Sequence, residues 1–134
     1  MEFTILPRSW APYALALLRI MTGLLFLEHG TAKVLGFPAP MGEASNAFAM
    51  FTGGVELAGG VLIVLGFLTR PVAFVLSGYM AVAYFMAHAP QNFFPILNRG
   101  DAAILYCFIF FFIFFAGPGP WSLDAMWRRT DRLH

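Results

Sequence analysis

Four apolar runs, read as membrane-spanning helices joined by short connections, nearly exhaust the 134 residues of this chain. A transmembrane helix needs about 20 predominantly apolar residues, so little chain remains for anything else. Charged residues make up only 11% of the sequence, against about 25% in a soluble domain. The expected architecture is all-α: a transmembrane antiparallel four-helix bundle forming one domain over residues 1–134. There is no room for a soluble catalytic domain.

The first span runs from about Ala11 to Leu35 and is broken by Gly36-Phe37-Pro38-Ala39-Pro40. The second, about Ala47 to Leu68, carries Gly53, Gly54, Gly59, Gly60 and Gly66. In a membrane such glycines let neighbouring helix backbones approach closely. Thr69-Arg70-Pro71 is a tight turn, with Pro71 suited to the first turn of the third span, which continues to about Ala89. In the connection Pro90 to Gly100, Phe93-Phe94-Pro95-Ile96-Leu97 is apolar enough to dip back and cap the bundle. The fourth span, about Asp101 to Ala116, is dense in phenylalanine, which faces lipid or fills gaps between helices. Gly117-Pro118-Gly119-Pro120 ends it. Ser122 then caps a short interfacial helix with Met126 and Trp127 toward lipid and Arg128, Arg129 and Arg132 toward headgroups.

Met1–Trp10 does not open a cleavable signal, and the first apolar stretch contains Arg19 with no small-residue cleavage site after it. It is expected to be retained. With both termini inside, the cytoplasmic face gains Arg8, Arg70, Arg128, Arg129 and Arg132, and the outer face only Lys33 and Arg99. The expected placement is a plasma (inner) membrane, multi-pass, with both termini cytoplasmic. A net charge of +1 without a basic stripe argues against a nucleic-acid partner. The single Cys107 excludes a disulfide framework, a CxxC pair or a thiolate zinc site within one chain.

Against this background seven ionisable side chains stand in or at the ends of the spans: Arg19, Glu28, His29, Lys33, Glu56, His88 and Asp101. Charges at that depth are expensive and are functional candidates by default. At about 1.5 Å per residue, Arg19 and Glu56 approach mid-membrane from opposite sides. An Arg19–Glu56 ion pair is expected, acting as a structural staple or taking part in chemistry. His29 and Lys33 end span one, His88 ends span three, and Asp101 opens span four, so these four are expected to meet at the outer surface. Tyr84 shares the His88 face of its helix. Such a pocket has donors and acceptors for a quinone headgroup or a small anion, although the same groups could simply saturate one another. Asp101 also has a purely local role, a carboxylate at a helix start. Glu28 points away from Arg19 and is left to snorkel or pair elsewhere. No His pair at i, i+4 or Glu-x-x-His motif supports a metal, and nothing marks space for a haem between His29 and His88.

Leu18-Arg19-Ile20 with Gly23, Phe26, His29-Gly30 and Lys33 resembles the first helix of the DoxX family of small four-helix membrane proteins. Gly53-Gly54-Val55-Glu56-Leu57-Ala58-Gly59-Gly60, then Leu65-Gly66 and Thr69-Arg70, resembles its second. His88, Phe94-Pro95, Asn98, Gly100 and an acid at Asp101 are similar to its third-to-fourth connection, and Gly117, Gly119 and Trp121-Ser122-Leu123-Asp124 to its C-terminal signature. The sequence departs from the pattern at Asp101, where the family has Glu, and at Glu28, where it is uncharged. The resemblance implies association with respiratory and redox assemblies, including thiosulfate:quinone oxidoreductase-type subunits and complexes for oxidative-stress defence.

Three functions follow. One is a quinone-associated redox subunit, with quinone as a non-covalent cofactor, histidines relaying protons, and Arg19 and Glu56 shaping the floor. Another is a non-catalytic anchor or assembly factor, in contact with membrane lipids and with a protein partner or further copies of itself. The last is a small-molecule carrier, against which stands the absence of broken helices or paired repeats.

Overall fold

The computed structural model describes residues 5–41 and 46–133. Of the N-terminal segment expected to be retained, residues 1–4 lie outside the described residues. All regular structure among the described residues is helical. Three helices are long and apolar enough to cross a membrane, Arg8–Val34, Ala47–Leu65 and Thr69–His88, and Asp101–Ala116 is a shorter apolar helix. Helical spans follow from the solvent: in hydrocarbon every backbone polar group must bond within its own segment.

The described chain forms two compact units. One comprises the chain up to Phe67 and again from Pro118; the other is Leu68–Gly117.

The first unit holds α1 (Ala11–Val34), α2 (Ala47–Leu65) and the C-terminal α6 (Leu123–Asp131). The two long helices run antiparallel in a register set by glycine. A Cβ added at Gly23 would lie 2.9 Å from Val64 N, at Gly30 2.6 Å from Leu57 N, and at Gly60 2.8 Å from Leu27 Cα. Glycines seven residues apart on both helices therefore put backbone directly against backbone, as the sequence suggests for Gly53 and Gly60. Gly54 is different, since nothing stands within 4 Å of its Cβ position.

The second span ends three residues earlier than expected. Gly66 adopts φ +66°, and Phe67 N–H bonds Leu62 O while Gly66 N–H bonds Ile63 O. That left-handed glycine cap reverses the chain before Leu68 can extend the helix. The third helix consequently begins at Thr69. After Gly119, Ser122 caps α6 as expected: its Oγ accepts from Ala125 N–H at 3.1 Å. Met126 and Trp127 are both exposed by more than 60% of their surface.

The second unit holds α3 (Thr69–Ala83), which continues as a π-helical turn (Tyr84–His88), then α4 (Pro95–Asn98) and α5 (Asp101–Ala116). α3 and α5 run antiparallel. Phe74 packs on Phe114 at 5.1 Å, Ser77 Oγ–H donates to Cys107 O at 2.8 Å, and Tyr84 lies against Gly100. Ala73, Leu76, Phe110 and Ile113 are buried. The phenylalanine run thus divides: Phe110 fills the unit, while Phe108, Phe111, Phe112 and Phe115 stay exposed. Arg70 closes the end of α5, its Nη1 donating to Phe114 O at 3.0 Å and Phe115 O at 2.6 Å. A cation on the last carbonyls also suits the helix dipole.

Candidate functional site

The seven membrane charges separate by partner. Arg19, expected to meet Glu56, is completely buried and bonds only backbone carbonyls. Nε donates to Pro118 O at 2.8 Å, Nη1 to Ile63 O and Val64 O at 2.8 and 2.7 Å, and Nη2 to Pro120 O and Trp121 O at 3.3 and 2.8 Å. Five N–H donors meet five acceptors, two from the end of α2 and three from the Gly-Pro loop. The reason lies in the register. With Gly30 on Leu57 and Gly23 on Val64, Arg19 is level with the chain just beyond α2. Glu56 is level with the other end of α1, about 12 residues or 18 Å farther along the axis.

Glu56 instead takes Lys33, with Nζ 2.8 Å from Oε1 and relative side-chain exposures of 23% and 7%. Gly30 makes this possible by bringing the Glu56 backbone against α1. Glu56→Gln is expected to cost about 1–3 kcal/mol, and adding Lys33→Met to it little more. A double-mutant cycle on thermal unfolding in detergent would show this as coupling; additive losses would mean the pair is idle.

His29 lies one turn from Lys33 on α1. Its Nδ1–H donates to Leu25 O at 2.9 Å, because a carbonyl can only accept, and this fixes the tautomer. Glu28 and His29 both line a groove of about 460 Å³ formed with Leu25, Ala32 and the Pro38–Met41 loop. From the sequence Glu28 is left to snorkel or pair elsewhere; only the fold of that loop over α1 shows what it borders.

Tyr84, His88 and Asp101 belong to the second unit. His88 Nδ1–H donates to Asn98 O at 2.9 Å, and its ring stacks on Tyr84 with centroids 6.3 Å apart. Asn98 is fully buried. Its Nδ2 donates to Tyr84 Oη at 3.1 Å and Asn92 O at 2.9 Å, and its Oδ1 accepts from Gly100 N–H at 2.8 Å. The π-helical turn sits where these two side chains must both reach Asn98, and such turns recur at functional sites. Gly100 is dictated by the same cluster: a Cβ there would fall 2.5 Å from Tyr84 Cε2. In the sequence Asn98 stands out only as part of the resemblance in the third-to-fourth connection; its role as a hub is visible only in the fold. Asp101 is exposed in the first turn of α5, the local role open to it from the sequence.

The chain's relatives add an identity to this geometry. The DoxX family model matches residues 14–89, more than half of the chain, with all of α2 and α3 and all but the first three residues of α1. The chain belongs to the DoxX family. A Haemophilus influenzae protein, named only as uncharacterized, is 42% identical over 87% of this chain and 92% of its own length. Uncharacterized membrane protein Rv3486 of Mycobacterium tuberculosis is 30% identical over 84% of this chain and 80% of its own. Inner membrane protein YqjF of Escherichia coli is 29% identical over 81% and 87%. No solved structure matches. This DoxX protein is thus a membrane protein with several apolar helices. Among its described residues no three His, Cys, Asp or Glu side chains gather as a metal-binding group, and Cys107 is a free thiol.

Proposed function

We propose that this chain is a multi-pass subunit of redox assemblies in the inner membrane, with both termini cytoplasmic, that holds a quinone-type headgroup at Tyr84 and His88. One observation carries the reading. Asn98 fixes both side chains and leaves each with a complementary valence. His88 commits Nδ1 to a carbonyl, so its Nε2 presents a lone pair. Tyr84 Oη accepts from Asn98, so its own O–H is available to donate. Among the described residues of that unit, neither atom has another hydrogen-bond partner. A quinone headgroup carries carbonyl acceptors that become hydroxyl donors on reduction, and this pair suits both states. Histidine also exchanges protons near neutral pH. In the same reading Asp101 contributes through the α5 dipole alone.

A short-chain ubiquinone titrated into purified protein in nonionic detergent tests this. Saturable binding is expected, lost in His88→Ala and weakened about tenfold in Tyr84→Phe, the worth of one well-made hydrogen bond. Absence of saturable binding to the unaltered protein, or binding indifferent to both substitutions, would remove the proposal.

A second reading, a non-catalytic anchor for a redox partner, draws on the exposed row Phe108, Phe111, Phe112 and Phe115 of α5. A photo-crosslinker at Phe112 would then capture a protein rather than lipid.

A further inference from the structure

We propose that the groove at the C-terminal end of α1 is a binding site for a lipophilic organic monocation. The groove, about 460 Å³, falls within the range of about 300–1,000 Å³ typical of small-molecule sites. Its wall is mostly apolar, from Leu25, Ala32, Pro38 and Met41, with Glu28 and His29 as the polar side chains. It is also a built wall rather than a slack loop. Thr31 Oγ–H bridges Glu28 O at 3.0 Å and Phe37 O at 2.8 Å, Phe37 N–H bonds Thr31 O, and Met41 N–H bonds Ala32 O at 3.2 Å. Pro38 and Pro40 stiffen the segment between those ties.

Charge selects the occupant. Glu28 lies six residues before the end of α1, about 9 Å inside it, and among the described residues no cation pairs with its carboxylate. A carboxylate beside apolar surface in a membrane helix calls for a counter-charge. An anion would be repelled, and a neutral ligand would leave the charge uncompensated. A hard metal ion needs six or more oxygen ligands, which one carboxylate does not provide. His29 has already turned its Nδ1–H to Leu25 O. What fits is a cation whose charge is spread over, or wrapped in, hydrocarbon. The site is made only of first-unit residues, so it stands apart from the Tyr84–His88 proposal.

The test is equilibrium dialysis of tetraphenylphosphonium against purified protein in a nonionic maltoside detergent, with triphenylphosphine oxide as a neutral probe of similar shape. The expected result is saturable, one-to-one uptake of the phosphonium. Glu28→Gln, at an exposed position and so compatible with folding, should weaken it about tenfold or more, as loss of one ligand charge pair in a partly apolar site does, without altering the neutral probe. Ala39→Trp, which fills the groove from the exposed loop, should abolish uptake, and His88→Ala should leave it intact. Three results would overturn the proposal: no saturable uptake, equal binding by Glu28→Gln, or displacement by stoichiometric phosphatidylethanolamine, which would assign the groove to a lipid amine.

Discussion

Arg19→Met is expected to destabilise the protein by about 3–5 kcal/mol, the largest single-residue loss in the chain, seen as reduced abundance in the membrane and a lower midpoint of thermal unfolding in detergent. The guanidinium is completely buried, yet every donor is used on a carbonyl. Removing it strands acceptors at the end of α2 and in the Pro118–Trp121 loop, and unmatched buried polar groups carry the full desolvation penalty. The C-terminal segment should loosen with it, because three of the five acceptors belong to that loop. Arg19→Lys should recover only a fraction. An ammonium is a point charge with three donors, and it cannot span carbonyls that a planar fork reaches in two directions. An Arg19→Met protein that unfolds with the unaltered one would show that the carbonyl cage is not what holds this end of the unit together.

Gly30→Ala and Gly60→Ala should each cost about 3 kcal/mol, near the upper end for overpacking. At Gly30 the new methyl would lie 2.6 Å from Leu57 N, 2.9 Å from Gly53 O and 3.0 Å from Glu56 C; at Gly60 it would lie 2.8–2.9 Å from the backbone of Leu27. Backbone atoms inside a helix cannot swing aside, so α1 and α2 would have to separate, and the Lys33–Glu56 bond would stretch with them. Gly54→Ala and Gly78→Ala are the matched controls. Nothing lies within 4 Å of either Cβ position, and alanine is the better helix former by up to about 1 kcal/mol. Thermal unfolding should therefore rank the four substitutions in two opposed pairs. Equal effects at Gly30 and Gly54 would mean that the glycines act through helix propensity and not through contact.

Much of the helical layout could be read directly from the chain. The α1 and α5 boundaries, the Ser122 cap and the existence of α6 all follow from local rules: apolar length, proline and glycine breaks, and an oxygen side chain before the first turn. The close-packing glycines were legible in kind, since small residues in a membrane helix have few other uses. Which of them pack was not. Gly53 and Gly54 are neighbours in sequence, yet a 100° turn puts one against α1 and the other in open space.

The candidate sites divide in the same way. That Arg19 and Glu56 needed partners was dictated by the sequence, because a membrane interior tolerates no lone charge. Which partners they took was a matter of register, and register is set by where Gly23, Gly30 and Gly60 let two helices touch. Depth counted from span ends could not reveal an offset of about 18 Å, nor that backbone carbonyls would take every donor of the arginine. Likewise the sequence offered His88 and Tyr84 as polar residues on one face. Only the π-helical turn and the buried Asn98 fixed which nitrogen carries the proton and which hydroxyl hydrogen remains to donate. Composition and local pattern determined the kind of protein, because a bilayer constrains every segment independently. Tertiary structure alone decided the pairing of its charges, because that depends on how distant segments slide past one another before they lock.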